Sequence, residues 1–231
     1  MNINLSGSGG SSINSITTYG GIVFSAGNET ISSINKACYW LNGKQYFLKL
    51  PTGVTSDSIA NSIVVDKETL DFYIAGNYQI AGNTYACYWK NDGDCITIGT
   101  SGSNAKDIYV SNEKIYILIQ KTGNMSYWVD GVSYLLQGSP TSLSSIFVYN
   151  GKIFSTGAIG GGIGVWKNQS NILSFTGTVA PTSSCSIYVY NEDIYTAGRE
   201  TDAHYWKNGI MTNLPTGATS DALAILVTPR R

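Results

Sequence analysis

The amino-acid sequence predicts an all-β chain on three grounds. An aromatic-Trp or Val-Trp pair followed by a polar turn recurs at Trp40, Trp89, Trp128, Trp166 and Trp206, at spacings of 49, 39, 38 and 40 residues. Four short runs rich in Ile, Val, Tyr and Phe accompany each copy, separated by Asn-Gly, Asp-Gly or Gly-Ser signals. No segment keeps helical apolar spacing over ten positions without a Gly or turn residue breaking it. A period near 40 residues is that of a four-stranded blade. Such sheets bury both faces, and leave only short edges, when packed radially. The expected fold is therefore a five-bladed β-propeller with four-stranded antiparallel blades, a single domain over residues 1–231.

Each strand of the repeat has its own signature. The opening strand is SIVV at Ile63–Val65, DIYV at Ile108–Val110, SIFV at Ile146–Val148 and SIYV at Ile187–Val189. The second strand is IVFSAG ending at Gly27, FYIAG at Gly76, IYILI at Ile119, IFSTG at Gly157 and IYTAG at Gly198. The third carries the Trp, and the fourth follows as YFLKL, CITIG, SYLLQ, ILSFT or MTNLP. β-Branched and aromatic side chains suit a pleated, half-buried surface. Asn42-Gly43, Asp92-Gly93, Asp130-Gly131 and Asn208-Gly209 offer the positive φ of tight hairpin turns. A large aromatic repeated once per blade is expected as filler between adjacent sheets.

Six segments compete for five opening positions. LPTGATSDALAILV, from Leu214 to Val227, copies LPTGVTSDSIANSIVV from Leu50 to Val65, while ITTYGGIVFSAG near the start aligns with the same place. The more apolar Leu223–Val227 is expected to complete the first blade and close the ring, leaving residues 1–20 to fray, pair on an edge or act as a redundant strand. A piece of a longer array, or exchange of the extra strand between chains, is the alternative to the expected monomer.

Composition excludes several function classes. With 42% hydrophobic residues and a net charge of −1 the chain folds, and with 13% charged residues it offers no basic surface for nucleic acid. No run is long and apolar enough for a membrane span, and MNINLSGSGG lacks the basic start and apolar core of a signal peptide. Gly-x-Ser-x-Gly, His-Glu-x-x-His, phosphate-loop and dinucleotide signatures are missing, and GAIGGGIG at Gly157–Gly164 reads as a flexible hairpin turn. His204, alone at the place of Cys38 and Cys87, makes a poor base or metal ligand. Asp57, Asp107, Asp193 and Asp221 are expected to hydrogen-bond turn backbone. Cys38, Cys87, Cys95 and Cys185 form no Cys-x-x-Cys pair and are expected as free thiols, in a reducing compartment or on a surface protein that does without bridges. No catalytic residue, cofactor or metal is expected.

Departures from the repeat carry the functional signal. From Gly27 to Trp40 and from Gly76 to Trp89 the chain takes 13 positions, against 9, 9 and 8 in the later copies. The excess is expected to form two neighbouring loops, a rim bearing Asn28, Glu29, Asn77, Tyr78, Asn83 and Tyr85 as ligand-binding residues.

The A-x-Y-W-K-N-G run with L-x-x-G after it, and S-x-x-x-I-x-V and D-I-Y-x-A-G between copies, resembles the repeats of bacterial β-propeller proteins of unassigned chemistry over residues 15–228. In blade count and size the chain is also similar to five-bladed lectin propellers of the tachylectin-2 type. That resemblance implies one N-acetylhexosamine site per blade, which loops of unequal length do not match. The expected function is a non-enzymatic binding module recognising a glycan or cell surface, because neutral sugars are held by aromatic faces and by amide or hydroxyl groups. A protein-interaction scaffold is the second expectation, and a hydrolase or lyase at the central channel the third. An extracellular or cell-surface setting follows from the first.

Overall fold

The computed structural model describes residues 10–175, 186–199, 202–215 and 220–228. Their regular secondary structure is twenty strands in five sheets, each sheet a run of four consecutive strands. The first sheet holds β1 (Ser11–Tyr19), β2 (Ile22–Ile31), β3 (Ile34–Leu41) and β4 (Lys44–Phe47), and the second β5 (Ser58–Val65), β6 (Phe72–Ile80), β7 (Asn83–Lys90) and β8 (Ile96–Thr97). The third holds β9 (Asn104–Ser111), β10 (Lys114–Gln120), β11 (Ser126–Val129) and β12 (Val132–Leu135). The fourth holds β13 (Ser142–Tyr149), β14 (Lys152–Ile159), β15 (Gly162–Lys167) and β16 (Ser170–Phe175), and the fifth β17 (Ser186–Tyr190), β18 (Asp193–Arg199), β19 (Ala203–Lys207) and β20 (Ile210–Asn213). The four opening runs and the second and third runs of each repeat lie within the strands expected of them, and β4, β8, β12, β16 and β20 each take up part of a fourth run.

The hairpin between third and fourth strands is fixed by one polar residue per sheet. Asn42, Asn91, Asp130, Asn168 and Asn208 take φ values of 48, 53, 44, 54 and 49°. Each Oδ1 accepts the backbone N–H of a residue near the start of the second strand: Val23, Phe72, Ile115, Ile153 and Ile194, at 2.8–3.2 Å. In the second sheet the positive φ falls on Asn91, so the Asp92-Gly93 reading is corrected by one residue. There the Asn precedes the Asp-Gly pair and captures the strand amide first.

The opening strand of the first sheet also differs from expectation. β2 pairs with β1 from Tyr19↔Ile22 to Ser11↔Glu29, whereas residues 220–228, including Leu223–Val227, belong to none of the strands. The turn at Gly20 and Gly21, with φ of 57 and 79°, closes this hairpin locally. A short connection costs far less loop entropy than recruiting a segment two hundred residues away. Residues 1–9 lie outside the described residues.

The opening strands are bulged at one residue each, Asn14, Asn61, Lys106 and Ser144 in the first four sheets. Opposite three of these bulges sit Gly27, Gly76 and Gly157, where an added Cβ would strike the carbonyl oxygen of Ser12, Ile59 or Ser142.

By internal packing the chain divides into two units, one reaching to Lys121 and taking in Trp128–Gly131, the other made of Thr122–Tyr127 and the chain from Val132 onward. In the first unit, Phe24, Ala26, Tyr39, Ile63, Val65 and Trp89 fill one core, and Tyr73, Tyr88, Ile108, Ile117 and Trp128 fill the next. Two bulge asparagines tie its successive opening strands: Asn14 Nδ2 donates to Ala60 O at 2.9 Å and Asn61 Nδ2 to Ala105 O at 2.7 Å. In the second unit Phe154, Val165, Ile187 and Val189 pack together, and Trp206 stacks on Phe175 at 5.9 Å. All five Trp side chains are buried, as expected of filler. Trp89 Nε1 donates to Lys49 O and Trp166 Nε1 to Gln137 O, both at 2.7 Å, which satisfies the indole N–H groups.

Candidate functional site

The extra residues of the first two sheets build longer strands, where loops were expected. β2 runs to Ile31 and β3 starts at Ile34 across a two-residue turn, Ser32 and Ser33, with φ of 50 and 64°. Ala81 and Gly82, with φ of 51 and 76°, close the β6–β7 hairpin in the same way. Ser-Ser carries no strong turn signal, and this is why the hairpin was not legible as one.

These extensions place the six expected binding residues unequally. Glu29 is 4% exposed, and its carboxylate accepts Gln45 Nε2 at 2.9 Å. Asn77 is buried and donates to Asn104 Oδ1 at 3.0 Å. Tyr78 is buried as well, sharing a 3.0 Å hydrogen bond with Thr97 Oγ1 and stacking on Tyr85 at 5.6 Å between ring centroids. Asn28 donates to Asn35 Oδ1 at 3.0 Å, and the exposed Asn83 accepts from Ser101 Oγ at 2.7 Å. Asn28, Asn83 and Tyr85 keep accessible surface, while Glu29, Asn77 and Tyr78 work inward.

One wall of the β2–β3 extension does line a concavity. Ile31 and Ile34, with Phe47, Leu48, Leu50 and Val54, form a mainly apolar cleft of about 490 Å³, edged by Lys36, Thr55, Ser56 and Ser58. Phe47 is 51% exposed although it closes β4. β4 pairs only with residues 38–41 of β3, so the rest of that edge needs other partners. Asp57 Oδ1 accepts Asn35 N–H at 2.7 Å, and Ser58 Oγ accepts Ala37 N–H at 2.9 Å. Leu48 N–H donates to Ala37 O at 3.0 Å, drawing the 48–57 connection across the hairpin. The sequence signal for this cleft is the same excess length, but Ile31 and Ile34 fall in the expected loop and Phe47, Leu48 and Leu50 in the run expected as a fourth strand.

Elsewhere the polar residues serve structure. Asp107 Oδ1 accepts Ser62 Oγ at 2.6 Å and Ile108 N–H at 2.9 Å, and Asp221 pairs with Arg199 at 3.4 Å. Asp193 holds Lys207 at 2.6 Å, and Asp71 holds Lys90 at 2.7 Å. The Lys90 ammonium, followed by Asn91, keeps the Asp71 carboxyl below its usual range. Gly160 and Gly161, within the glycine run, form the β14–β15 turn. His204 is buried edge-on to Trp206 at 5.9 Å. Among the described residues no three His, Cys, Asp or Glu converge as a metal site. Cys38, Cys87 and Cys95 are free thiols, and Cys185 lies outside the described residues. Burial pushes the Cys38 thiol up to about 11, and burial followed by the Cys95 thiol raises Cys87 as well. Among the described residues no helix is long and apolar enough to cross a membrane.

No family model matches the chain, and no curated protein does. Among solved structures it is similar to the WD40 β-propeller domain of Doa1, at 14% identity and a TM-score of 0.53 over 95% of this chain and 87% of that one. It is similar to the extracellular domain of a protein assigned to the hybrid two-component systems of B. thetaiotaomicron, at 14% identity and a TM-score of 0.51 over 89% of this chain and 28% of that one. A Trypanosoma rangeli sialidase in complex with sialic acid aligns at 10% identity and a TM-score of 0.49, over 82% of this chain and 37% of the sialidase. This chain thus spans well under half of the latter two. Likeness at such identity shows the fold alone, and with five sheets of four consecutive strands that fold is the β-propeller.

Proposed function

We propose that the protein is a non-enzymatic binding module, and that the cleft between the β2–β3 hairpin and the 48–57 connection receives apolar side chains from an extended segment of a protein partner. The observation that carries this reading is the apolar lining at Ile31, Ile34, Phe47, Leu50 and Val54 in a volume of about 490 Å³, within the usual range of ligand pockets. Because Asp57 and Ser58 already consume the free amides of β3, the partner docks through side chains and not by adding a strand. Lys36 at the mouth selects a carboxylate beside the apolar anchor. The test is a displayed peptide library selected on the wild-type protein. Enriched peptides carry a large apolar residue next to Asp or Glu, and they lose at least about tenfold in affinity, roughly 1.4 kcal/mol, on Val54→Arg. Binders indifferent to Val54→Arg and to Phe47→Ala overturn the reading.

A neutral glycan is the second reading, favoured by the accessible Tyr85 and Asn83 on the second hairpin. It requires array binding that Tyr85→Ala abolishes while Val54→Arg leaves it intact.

A further inference from the structure

Residues 220–228 sit against the fifth sheet as β5 sits against the first. Ile225 N–H donates to Ser186 Oγ at 3.4 Å, as Ile63 N–H donates to Ser15 Oγ at 3.1 Å. Ser220 Oγ accepts Ala203 N–H at 3.2 Å, the role of Ser58 toward Ala37. Leu214 N–H reaches Ala203 O at 3.1 Å, matching Leu48 to Ala37. The tail therefore occupies the seat of an opening strand, as its copied sequence LPTGATSDALAILV demands. What it lacks is the hairpin that β5 has in β6. Residues 220–228 enter no ladder among the described residues, and Leu223 and Leu226 are 65% and 72% exposed. β1 shows the converse: it is laddered on β2, yet its Ile16 is 64% exposed, where Ile63, Ile108, Ile146 and Ile187 are 3–4% exposed.

We propose that the tail is an exchangeable opening strand whose partner is β2 of a second copy of this chain, on which it replaces β1. A second copy is the fitting occupant because β2 (FSAGN) repeats the β6 sequence (IAGN) that β5, the tail's own copy, pairs with. The exchange trades the polar SSINSITTY for the apolar ALAILV, so the intermolecular ladder buries more apolar surface than the one it replaces. In the seating those hydrogen bonds define, Ser220 stands for Ser58 and Ile225 for Ile63, so Leu223 takes the place of the bulge residue Asn61 and Ala222–Val227 supply the ladder. In this register Ile225 falls opposite Ser25, as Ile16 does within one chain.

The test mixes two differently tagged full-length populations, one carrying Ile225→Cys and the other Ser25→Cys, under mild oxidation, alongside light scattering of the wild type over a wide concentration range. The expected result is a disulfide joining the two tags, absent with either population alone. The wild type shows a concentration-dependent oligomer whose formation moves at least tenfold upward in concentration with Leu226→Lys, a change at an exposed position that spares the fold. Wild type that stays monomeric at every concentration, an oligomer unaffected by Leu226→Lys, or a disulfide that forms only when one chain carries both cysteines overturns it.

Discussion

At the scale of single residues, the amide of the third hairpin does two jobs at once. Asn42 tolerates a left-handed φ of 48° and caps Val23 N–H at 2.9 Å. Asn42→Gly keeps the conformation and loses the bond, costing about 1 kcal/mol. Asn42→Ala loses both, costing about 2–3 kcal/mol once left-handed strain is added. Urea midpoints of the two variants separate the contributions, and equal midpoints would remove the conformational one. These turns were legible in the sequence wherever Asn or Asp immediately preceded Gly, and misplaced by one where Asn91 preceded an Asp-Gly pair.

At the scale of elements, the sequence showed where the repeat departs from itself without showing what the extra residues become. Four added residues are two cross-strand pairs when the turn is tight, or a loop when it is open, and Ser32-Ser33 does not announce the choice. Replacing the pair by Asn-Gly, which both left-handed positions favour, is expected to stabilise the protein by about 0.5–1 kcal/mol, read as a rise in urea midpoint. A flexible loop would gain nothing. The cleft was illegible for a different reason: its walls are apolar residues of a kind that usually lies in a core, and only the short β4 leaves them open.

At the scale of the whole molecule, the period alone disclosed the fold, because five copies average out the ambiguity of any single run. Which terminal segment opens the first sheet stayed hidden, since apolarity favours the tail whereas the pairing follows chain connectivity. The repeated aromatics also set the alkaline limit of the fold. Burial raises the titration of Tyr39, Tyr88, Tyr116 and Tyr127, and of Cys38 from 9.0 to about 11. Groups raised in the folded state contribute stability fully below their unfolded values and lose it as pH climbs through the folded ones. Thermal midpoints are therefore expected to hold up to about pH 9 and fall from there through pH 11, and Cys38→Ala flattens the first part of that fall. An unchanged slope would assign the whole effect to the tyrosines.

The bulge asparagines give the assembly a direction. Asn14 and Asn61 each belong to the earlier of two opening strands and hold a carbonyl on the later one. A nascent chain leaving the ribosome thus meets the second and third opening strands with the gripping amide already laid down behind each, so over these sheets synthesis and docking advance the same way.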